Sequence, residues 1–405
     1  MDVAGPGGMT MEANENMLDI DTYAREAVEH RHYLHAHPEP SFEEHATQQY
    51  ITERLHSLGL NPSPIAGTGV TATVAGTRGP ANGKVLLLRA DIDALRLTEE
   101  TGLPFSSQNK GVMHACGHDG HTGTLLAVAH WLVDHRDQFG GTVKLLFQPA
   151  EEISPGGAEP CVREGVLQNP DVTFAFGMHL WNALEFGKVG LRAGPLMAEA
   201  DRFELTVTGK GTHAAAPHLG ADPIVAAAQV VTALQTIVSR ETNPLESRVV
   251  TIGTIDGGSA FNIIPQSVHM TGTLRALSRE DAELGAASLR RIVSHTAQAL
   301  GTTADIDYEF GYPPVINSGE SVAFLRPVLQ QAVGEDNVVE PEITMGGEDF
   351  AYYLQQVPGA FVFVGTRNAA KGLSAPHHNP KFTFDEDIFP IAVSVFVAVV
   401  RGYLS

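Results

Sequence analysis

Met113-His114-Ala115-Cys116-Gly117-His118-Asp119-Gly120-His121 sets one thiol and three imidazoles among two glycines, just before an apolar helical run from Thr124 to Val133. On its N-terminal side stands Lys84–Arg89, whose continuous apolar run Val85 to Leu88 is the pattern of a strand buried on both faces. That strand ends in Arg89-Ala90-Asp91. On its C-terminal side, Thr142–Phe147 runs straight into Gln148-Pro149-Ala150-Glu151-Glu152, and Val172–Gly177 runs into Met178-His179-Leu180-Trp181. Buried strands alternating with helices predict an α/β fold, which places its chemistry beyond the carboxyl ends of the strands.

Taken singly, these features are ordinary. One Cys-x-His is more often a His-rich loop with a buried cysteine. Two acids after a strand are as often the solvated start of a helix. A single His after an apolar run is more often a packed core residue. Together they read differently: three buried strands each end in a polar group, and the Cys-His loop lies between two of them. Convergence at one sheet edge is the economical explanation, and thiolate, imidazole and carboxylate are the donors that Zn²⁺ and its neighbours take.

Farther out, apolar residues recur at helical spacing from Asp19 to His35, and Pro38 and Pro40 stop that helix. Its Arg31–Pro38 segment is His-rich, but no acid stands at ligand spacing, so a structural role is expected. Ser41 with Glu44 has the capping-box pattern and predicts a helix to about Leu58, followed by a strand near Val70–Ala75. After Gly194-Pro195 the pattern changes. A half-buried strand (Arg202–Thr208), a turn ending in His213, a helix (Pro223–Ser239, with Asp222 as N-cap), two strands (Arg248–Ile255 and Gln266–Arg275), a helix (Ser278–Leu300) and a strand (Ala304–Glu309) spell β-α-β-β-α-β. This is a ferredoxin-like insertion. The expected division is a flexible leader over 1–17, a first catalytic segment over 18–195, the inserted domain over 196–310 and a second catalytic segment over 311–405.

Forty-seven acidic against 26 basic residues give a formal charge of −21, which argues against nucleic acid or an anionic membrane as partner. Two cysteines, Cys116 and Cys161, indicate no disulfide framework and suit a reducing cytoplasm. The Gly-, Asn- and Glu-rich start reads as a loose leader and not a signal peptide. No apolar run approaches the ~20 residues that a membrane helix needs.

With these residues in view, the chain resembles the aminoacylase, acetylornithine deacetylase and carboxypeptidase G superfamily of dinuclear metallohydrolases. It is most similar to the amidohydrolase branch that holds hippurate hydrolase, N-acyl-amino-acid deacylases and auxin-conjugate hydrolases. The blocks that carry the resemblance are LHAHPEPSFEE, LLLRADIDAL, MHACGHDGHT, LLFQPAEE, GMHLW, GTHAAAPHLGADPI, FNIIP, GTLRA, MGGEDFAYY and HHNPKFTFDE, from about Asp21 to the C-terminus. The resemblance implies a metallopeptidase-type α/β catalytic domain with a mixed central sheet flanked by helices, and an inserted lid and dimerisation domain. It implies two divalent ions (Zn²⁺, Mn²⁺, Co²⁺ or Ni²⁺) held by Cys116, His118, Glu152, His179 and His378, the last chosen over His377 because it directly precedes Asn379-Pro380. Cys116 stands where peptidase relatives use a bridging Asp. The place of their His-x-Asp block is filled by Arg89-Ala90-Asp91, so Asp91 is expected to orient a ligand.

By the same resemblance, Glu151 is the general base that takes a proton from a metal-bridging water and passes it to the leaving amine. His213 corresponds to the donor to the oxyanion, reaching the site of a partner subunit in relatives, so a homodimer or homotetramer is implied. Asn262 and Arg275 match positions that grip the substrate's α-carboxylate, a job suited to a guanidinium fork. Gly346 and Gly347 would let backbone approach substrate, while Glu348 and Asp349 cap the next helix. The expected substrate is a small N-acyl-L-amino acid. A carboxypeptidase or dipeptidase of the same fold is the alternative, which Cys116 disfavours. A cysteine hydrolase is weaker still, because it would leave the two acids and the remote His unused. A metal-storing module would have no use for Glu151.

Overall fold

In the computed structural model, which describes residues 11–79 and 82–405 with side chains from residue 20 onward, the chain forms two units. The first comprises Met1–Gly194, Asn317–Pro341 and Tyr352–Ser405; the second comprises Pro195–Ile316 and Glu342–Ala351. The Gly346-Gly347 turn thus clusters with the second unit, although its place in the chain suggested the first. Of the leader expected over 1–17, residues 1–10 lie outside the described residues. The rest belongs to helix α1 (Met11–Ala36), which begins well before Asp19.

The first unit is built on an eight-stranded sheet. It holds β1 (Ser63–Ile65), β2 (Gly69–Ala75), β3 (Val85–Asp91), β4 (Thr142–Gln148) and β5 (Phe174–Glu185) in the order β1-β2-β4-β3-β5, followed by Gly359–Arg367, Val189–Gly190 and Val338–Val339. The sheet is mixed. β2 runs antiparallel to β4, while β3, β4, β5 and Gly359–Arg367 are parallel. Every residue of β3 is buried, Arg89 and Asp91 included, as its apolar run predicts for a strand covered on both faces.

Helix α3 (His118–Asp134) packs on one face beside α1. The two come so close that a Cβ at Gly123 would lie 2.7 Å from the Ala27 carbonyl oxygen. The C-terminal helical stretch Glu386–Leu404 spans 19 residues and approaches membrane-helix length, contrary to the sequence reading. Phe389, Val393, Phe396 and Val400 bury it in the core of this unit, and Arg401 lies 5.1 Å over the Trp131 ring.

Helix α2 (His45–Ser57) starts differently from the predicted capping box. Its first amides, Ala46 N–H and Thr47 N–H, donate to the Glu39 carboxylate at 3.1 and 2.7 Å. Ser41 and Glu44 are engaged elsewhere, on Asp93 and Ala150. Long-range partners outcompeted the local cap.

The second unit has four antiparallel strands in the order Arg248–Gly257, Ser267–Ala276, Glu199–Thr208, Thr303–Tyr312, with helices Pro223–Thr236 and Arg279–Ala299. This is the ferredoxin-like arrangement. Asp222 caps the first helix through Ile224 N–H at 2.9 Å, and Ser278 caps the second through Asp281 N–H at 3.1 Å.

Candidate active site

The parallel register builds the site. Asp91 pairs with Gln148, and Arg89 pairs with Gly177. Two residues farther on, Asp91 and His179 therefore stand level at the carboxyl ends of neighbouring strands, next to the exit of β4 toward Glu151 and Glu152. The organising loop comes over this edge and turns into α3 at Gly117, whose φ of 93° is the left-handed conformation that favours glycine. That turn brings Cys116 and the first helical residue, His118, to the same place.

Three side chains meet there: Cys116, His118 and His179 offer donor atoms all within 4.8 Å of one another, with Cys116 Sγ 3.4 Å from His179 Nε2. Cys116 belongs equally to a second cluster with Glu152 and His378, whose Nε2 is 3.1 Å from Glu152 Oε1. His118 further groups with Glu151 and Glu152, its Nε2 lying 4.0 and 3.9 Å from their oxygens. His378 is held for this by its backbone, with φ of 62° and its N–H donating to the Ala115 carbonyl at 2.8 Å. His377 is otherwise occupied: its ring Nε2 bonds the Leu180 carbonyl at 2.9 Å and its face stacks on Trp181.

Hydrogen bonds set which ring nitrogen carries the proton. His179 Nδ1 faces the Leu180 carbonyl at 2.9 Å, and His118 Nδ1 faces the Asp93 carbonyl at 3.0 Å and Asp93 Oδ1 at 3.3 Å. Those oxygens only accept, so Nδ1 holds a hydrogen in both rings and Nε2 is the nitrogen turned toward the other donors. The Nε2 of His118 is buried without a hydrogen-bond partner, and the buried Oε1 of Glu152 faces the His378 ring nitrogen at 3.1 Å. A buried polar atom left unpartnered is costly unless something meets it. A thiol, two aimed imidazoles and a carboxylate around that gap are the donor set of a divalent transition ion.

The electrostatics point the same way. Burial lowers the His118 pKa, but Asp91, Asp93 and Glu152 more than reverse this and raise it to about 10. Burial, reinforced by His121 and His377, holds His179 well below its usual value, and burial with Glu152 and Glu151 pushes the Cys116 thiol up. Burial would raise Asp91, but His118, His121 and Arg89 hold it well below the carboxylate range. The pocket carries an excess of negative charge that a bound cation would answer.

Asp91 bonds a histidine outside the expected ligand set, His121. Its Oδ1 is 2.6 Å from His121 Nδ1, its Oδ2 accepts from Arg89 Nη1 at 2.7 Å, and His121 Nε2 takes the Leu180 N–H at 2.9 Å. The residue that orients His118 is Asp93, which the sequence reading passed over. Asp93 Oδ2 also accepts the Glu152 N–H at 3.0 Å. A signal was present: Asp91 and Asp93 are two apart, so both point the same way if the strand runs on.

The remaining candidates lie in the second unit. His213 and Asn262 line one cavity of about 820 Å³, with His213 paired to Ile263 and Ala214 N–H donating to the Asn262 carbonyl at 3.0 Å. His213 Nδ1 accepts the Ala215 N–H at 3.0 Å, so its Nε2 bears the proton. Arg275 is elsewhere. Ser267 lines the cavity, and Arg275 follows eight residues along the same strand, roughly 26 Å at 3.3 Å per residue. The Gly346-Gly347 turn shares the Arg275 end. Gly346 O accepts the Ala198 N–H at 2.9 Å, and a Cβ on Gly347 would fall 2.8 Å from Ala200, the register partner of Arg275. Glu348 Oε1 accepts Phe350 N–H at 2.9 Å and caps the short helix that follows.

Residues 87–402 match the sequence pattern of Peptidase family M20/M25/M40. The chain belongs to this family. An M20 relative, the N-acetyl-L-cysteine deacetylase of Bacillus subtilis (strain 168), is 40% identical over 380 residues, covering 93% of this chain and 88% of the relative. Thermostable carboxypeptidase 1 of Saccharolobus solfataricus is 39% identical over 367 residues, covering 90% and 92%. Among solved structures, the Bacillus subtilis YXEP protein, described as a dinuclear metal binding peptidase of the M20 family, superposes with a TM-score of 0.80 at 34% identity, covering 95% of this chain and 99% of that one. The M20 fold and its hydrolase class are thereby those of this chain.

Proposed function

We propose that the protein hydrolyses the amide bond of N-acyl-L-amino acids, releasing a carboxylic acid and a free amino acid. The observation that carries this reading is the buried, unpartnered His118 Nε2, gathered with donor atoms of Cys116, His179 and Glu152, with a second acid, Glu151, beside them. Cys116, His118, Glu152, His179 and His378 would hold two divalent ions, and membership of Cys116 in two donor clusters suits a bridging role. Two such ions would polarise the amide carbonyl and bring the pKa of a water to about 7.

The rest falls to the chain's own groups. Glu151 is buried at 6% exposure, its Oε2 4.0 Å from His118 Nε2, placed to take a proton from the nucleophilic water and return it to the leaving nitrogen as the C–N bond breaks. His213, with its proton on Nε2, donates to the carbonyl oxygen as charge develops there. Arg275 grips the substrate carboxylate, and Gly346 offers backbone at the same end.

In one copy, the cavity that His213 and Asn262 line reaches Ser267, roughly 26 Å along the strand from Arg275. We therefore place His213 and Asn262 of one copy against the substrate of another, in a homodimer or homotetramer. The edge strand Arg248–Gly257 and its surroundings expose Leu219, Ile255, Phe261 and Ile263, with Phe261 99% exposed, as a surface awaiting a second copy would. Cys116 acts as a metal ligand only while reduced, which supports a reducing, cytoplasmic setting.

A second reading, peptide hydrolysis, is favoured by the likeness to a carboxypeptidase. Release of free amine from N-acetyl, N-benzoyl and long-chain acyl amino acids and from dipeptides, with chelator and with added Mn²⁺, Co²⁺ or Zn²⁺, separates the two. Chelator-sensitive release from one acyl class is the expected outcome, whereas activity confined to dipeptides moves the assignment to a peptidase. Release that survives metal removal but dies with a thiol-blocking reagent overturns both. Glu151→Gln is expected to keep both ions and lose roughly 10²–10⁴ in kcat. Near-normal turnover in that variant would remove Glu151 from the chemistry.

A further inference from the structure

The block Leu34–Glu44 has no part in the reaction described so far, yet its end is buried against the catalytic pair. Glu44 is fully buried. Its Oε1 accepts the Ala150 N–H at 2.8 Å and its Oε2 accepts the Thr68 hydroxyl at 2.5 Å. Ala150, immediately before Glu151, has φ of 53°. An L-residue with a Cβ adopts that left-handed conformation only when its surroundings impose it. Here both of its peptide groups are gripped: the N–H by Glu44, the carbonyl by Gly157 N–H at 3.0 Å. Gly157 is itself tightly placed, since a Cβ there would lie 1.9 Å from the Pro149 oxygen.

The other flank of Glu151 is held from the same turn. Glu152 N–H donates to Asp93 Oδ2, and that oxygen also accepts the Ser41 hydroxyl at 2.6 Å. Backbone amides on both sides of Glu151 are thus fixed, one by Glu44 directly and one through Asp93 braced by Ser41.

We propose that Glu44 is a positioning residue for the reaction: by holding the Ala150 amide it sets the direction in which Glu151 presents its carboxylate. The inference rests on the reading of Glu151 as the proton carrier. A misplacement of about 1 Å at such a group costs on the order of 10²-fold in rate. Glu44 touches neither substrate nor the metal ligands' side chains, so its loss is read in kcat and not in KM or ion content.

The test compares Glu44→Ala, Glu44→Asp and Glu44→Gln in the metal-loaded full chain, measuring kcat, KM, bound ions and Tm. Gln retains an oxygen for Ala150 N–H and can donate its amide to the Thr68 hydroxyl, so Glu44→Gln is expected within about threefold of the parent. Asp keeps the charge but is one methylene too short, and Ala has no acceptor. Both are expected to lose at least about tenfold in kcat, with KM within about threefold and both ions retained. Should Glu44→Ala fail to fold, Glu44→Asp decides.

Parental kcat in Glu44→Asp overturns the proposal. So does a loss that tracks lost ions or lost folded protein, and so does a Glu44→Gln as slow as Glu44→Asp. Glu151→Gln run alongside separates the two levels. If Glu151→Gln turns over normally, the proton-carrier reading fails and the positioning role with it. If it is inactive with both ions bound while Glu44→Asp is unimpaired, the positioning role alone fails.

Discussion

Asp93 ties together more of the site than any residue chosen from the sequence, since one carboxylate serves His118, the Glu152 amide and Ser41. Burial would raise its pKa, but its bonds to His118, Ser41 and the Glu152 amide hold it below the usual range. Asp93→Asn would turn a donor toward at least one of these donors. It is expected to weaken metal binding by roughly 10–100-fold, read by competition with a chelator, with the fold intact by circular dichroism. Glu152 and His179 were legible because each follows an apolar strand, and Cys116 because its His-rich loop runs into an apolar helix. Asp93 was passed over because it stands two residues past the strand end, where only its spacing from Asp91 marks it. Glu44 was misread for a related reason. Its spacing to Ser41 spells a local cap, and nothing nearby in the chain shows Thr68 or Ala150 competing for the same oxygens.

The pairing of α1 with α3 explains the His-rich Arg31–Pro38 segment. His35 Nδ1 is 2.8 Å from Asp119 Oδ2 and its Nε2 is 3.2 Å from Glu99 Oε1, while Arg31 Nε reaches the same Asp119 oxygen at 3.2 Å and its Nη1 reaches Glu386 at 2.6 Å. The structural role expected for this segment is thus met by acids that arrive from three distant parts of the chain. Burial lowers the His35 pKa, but its bonds to Asp119 and Glu99 raise it to about 9.

The ordinary value of His35 is 6.5, so its ionic contribution to stability is complete below about pH 6.5 and is lost as pH rises through 9. The shift corresponds to roughly 3 kcal/mol. The stability deficit of His35→Leu relative to the parent is therefore expected to be larger at pH 6 than at pH 10 by about that amount, measured by thermal or denaturant unfolding at both values. Equal deficits at the two pH values would remove the ionic share. The element least visible in advance was the far half of β5. The apolar run breaks after Gly177, but the strand continues because Met178, His179 and Leu180 pair with Val362, Phe363 and Val364. No local pattern reports a partner that lies more than 180 residues away.

At the scale of the whole molecule, the βαββαβ insertion and the α/β sheet were both readable from periodicity. The proposed service of His213 to a second copy came from the resemblance and not from periodicity. If His213 serves the neighbouring copy, an inactive Glu151→Gln chain and an inactive His213→Ala chain should rescue one another when mixed and reassembled. In a dimer, half of the randomly formed pairs are mixed and each carries one intact site, so roughly a quarter of the parental activity is expected. Activity that stays at the level of the two separate variants would show that His213 acts within its own chain.

The separation of the His213 cavity from Arg275, at opposite ends of the Ser267–Ala276 strand, then has a genetic meaning. A chain damaged at His213 would keep its own metal centre sound and instead disable the healthy chain beside it. The damaged chain's own centre would be completed by its healthy partner, so a mixed pair would keep one working site, as it does with a lesion in the metal centre, and only the chain that fails would differ. Lesions at Cys116 or Glu152 would silence only the chain that bears them.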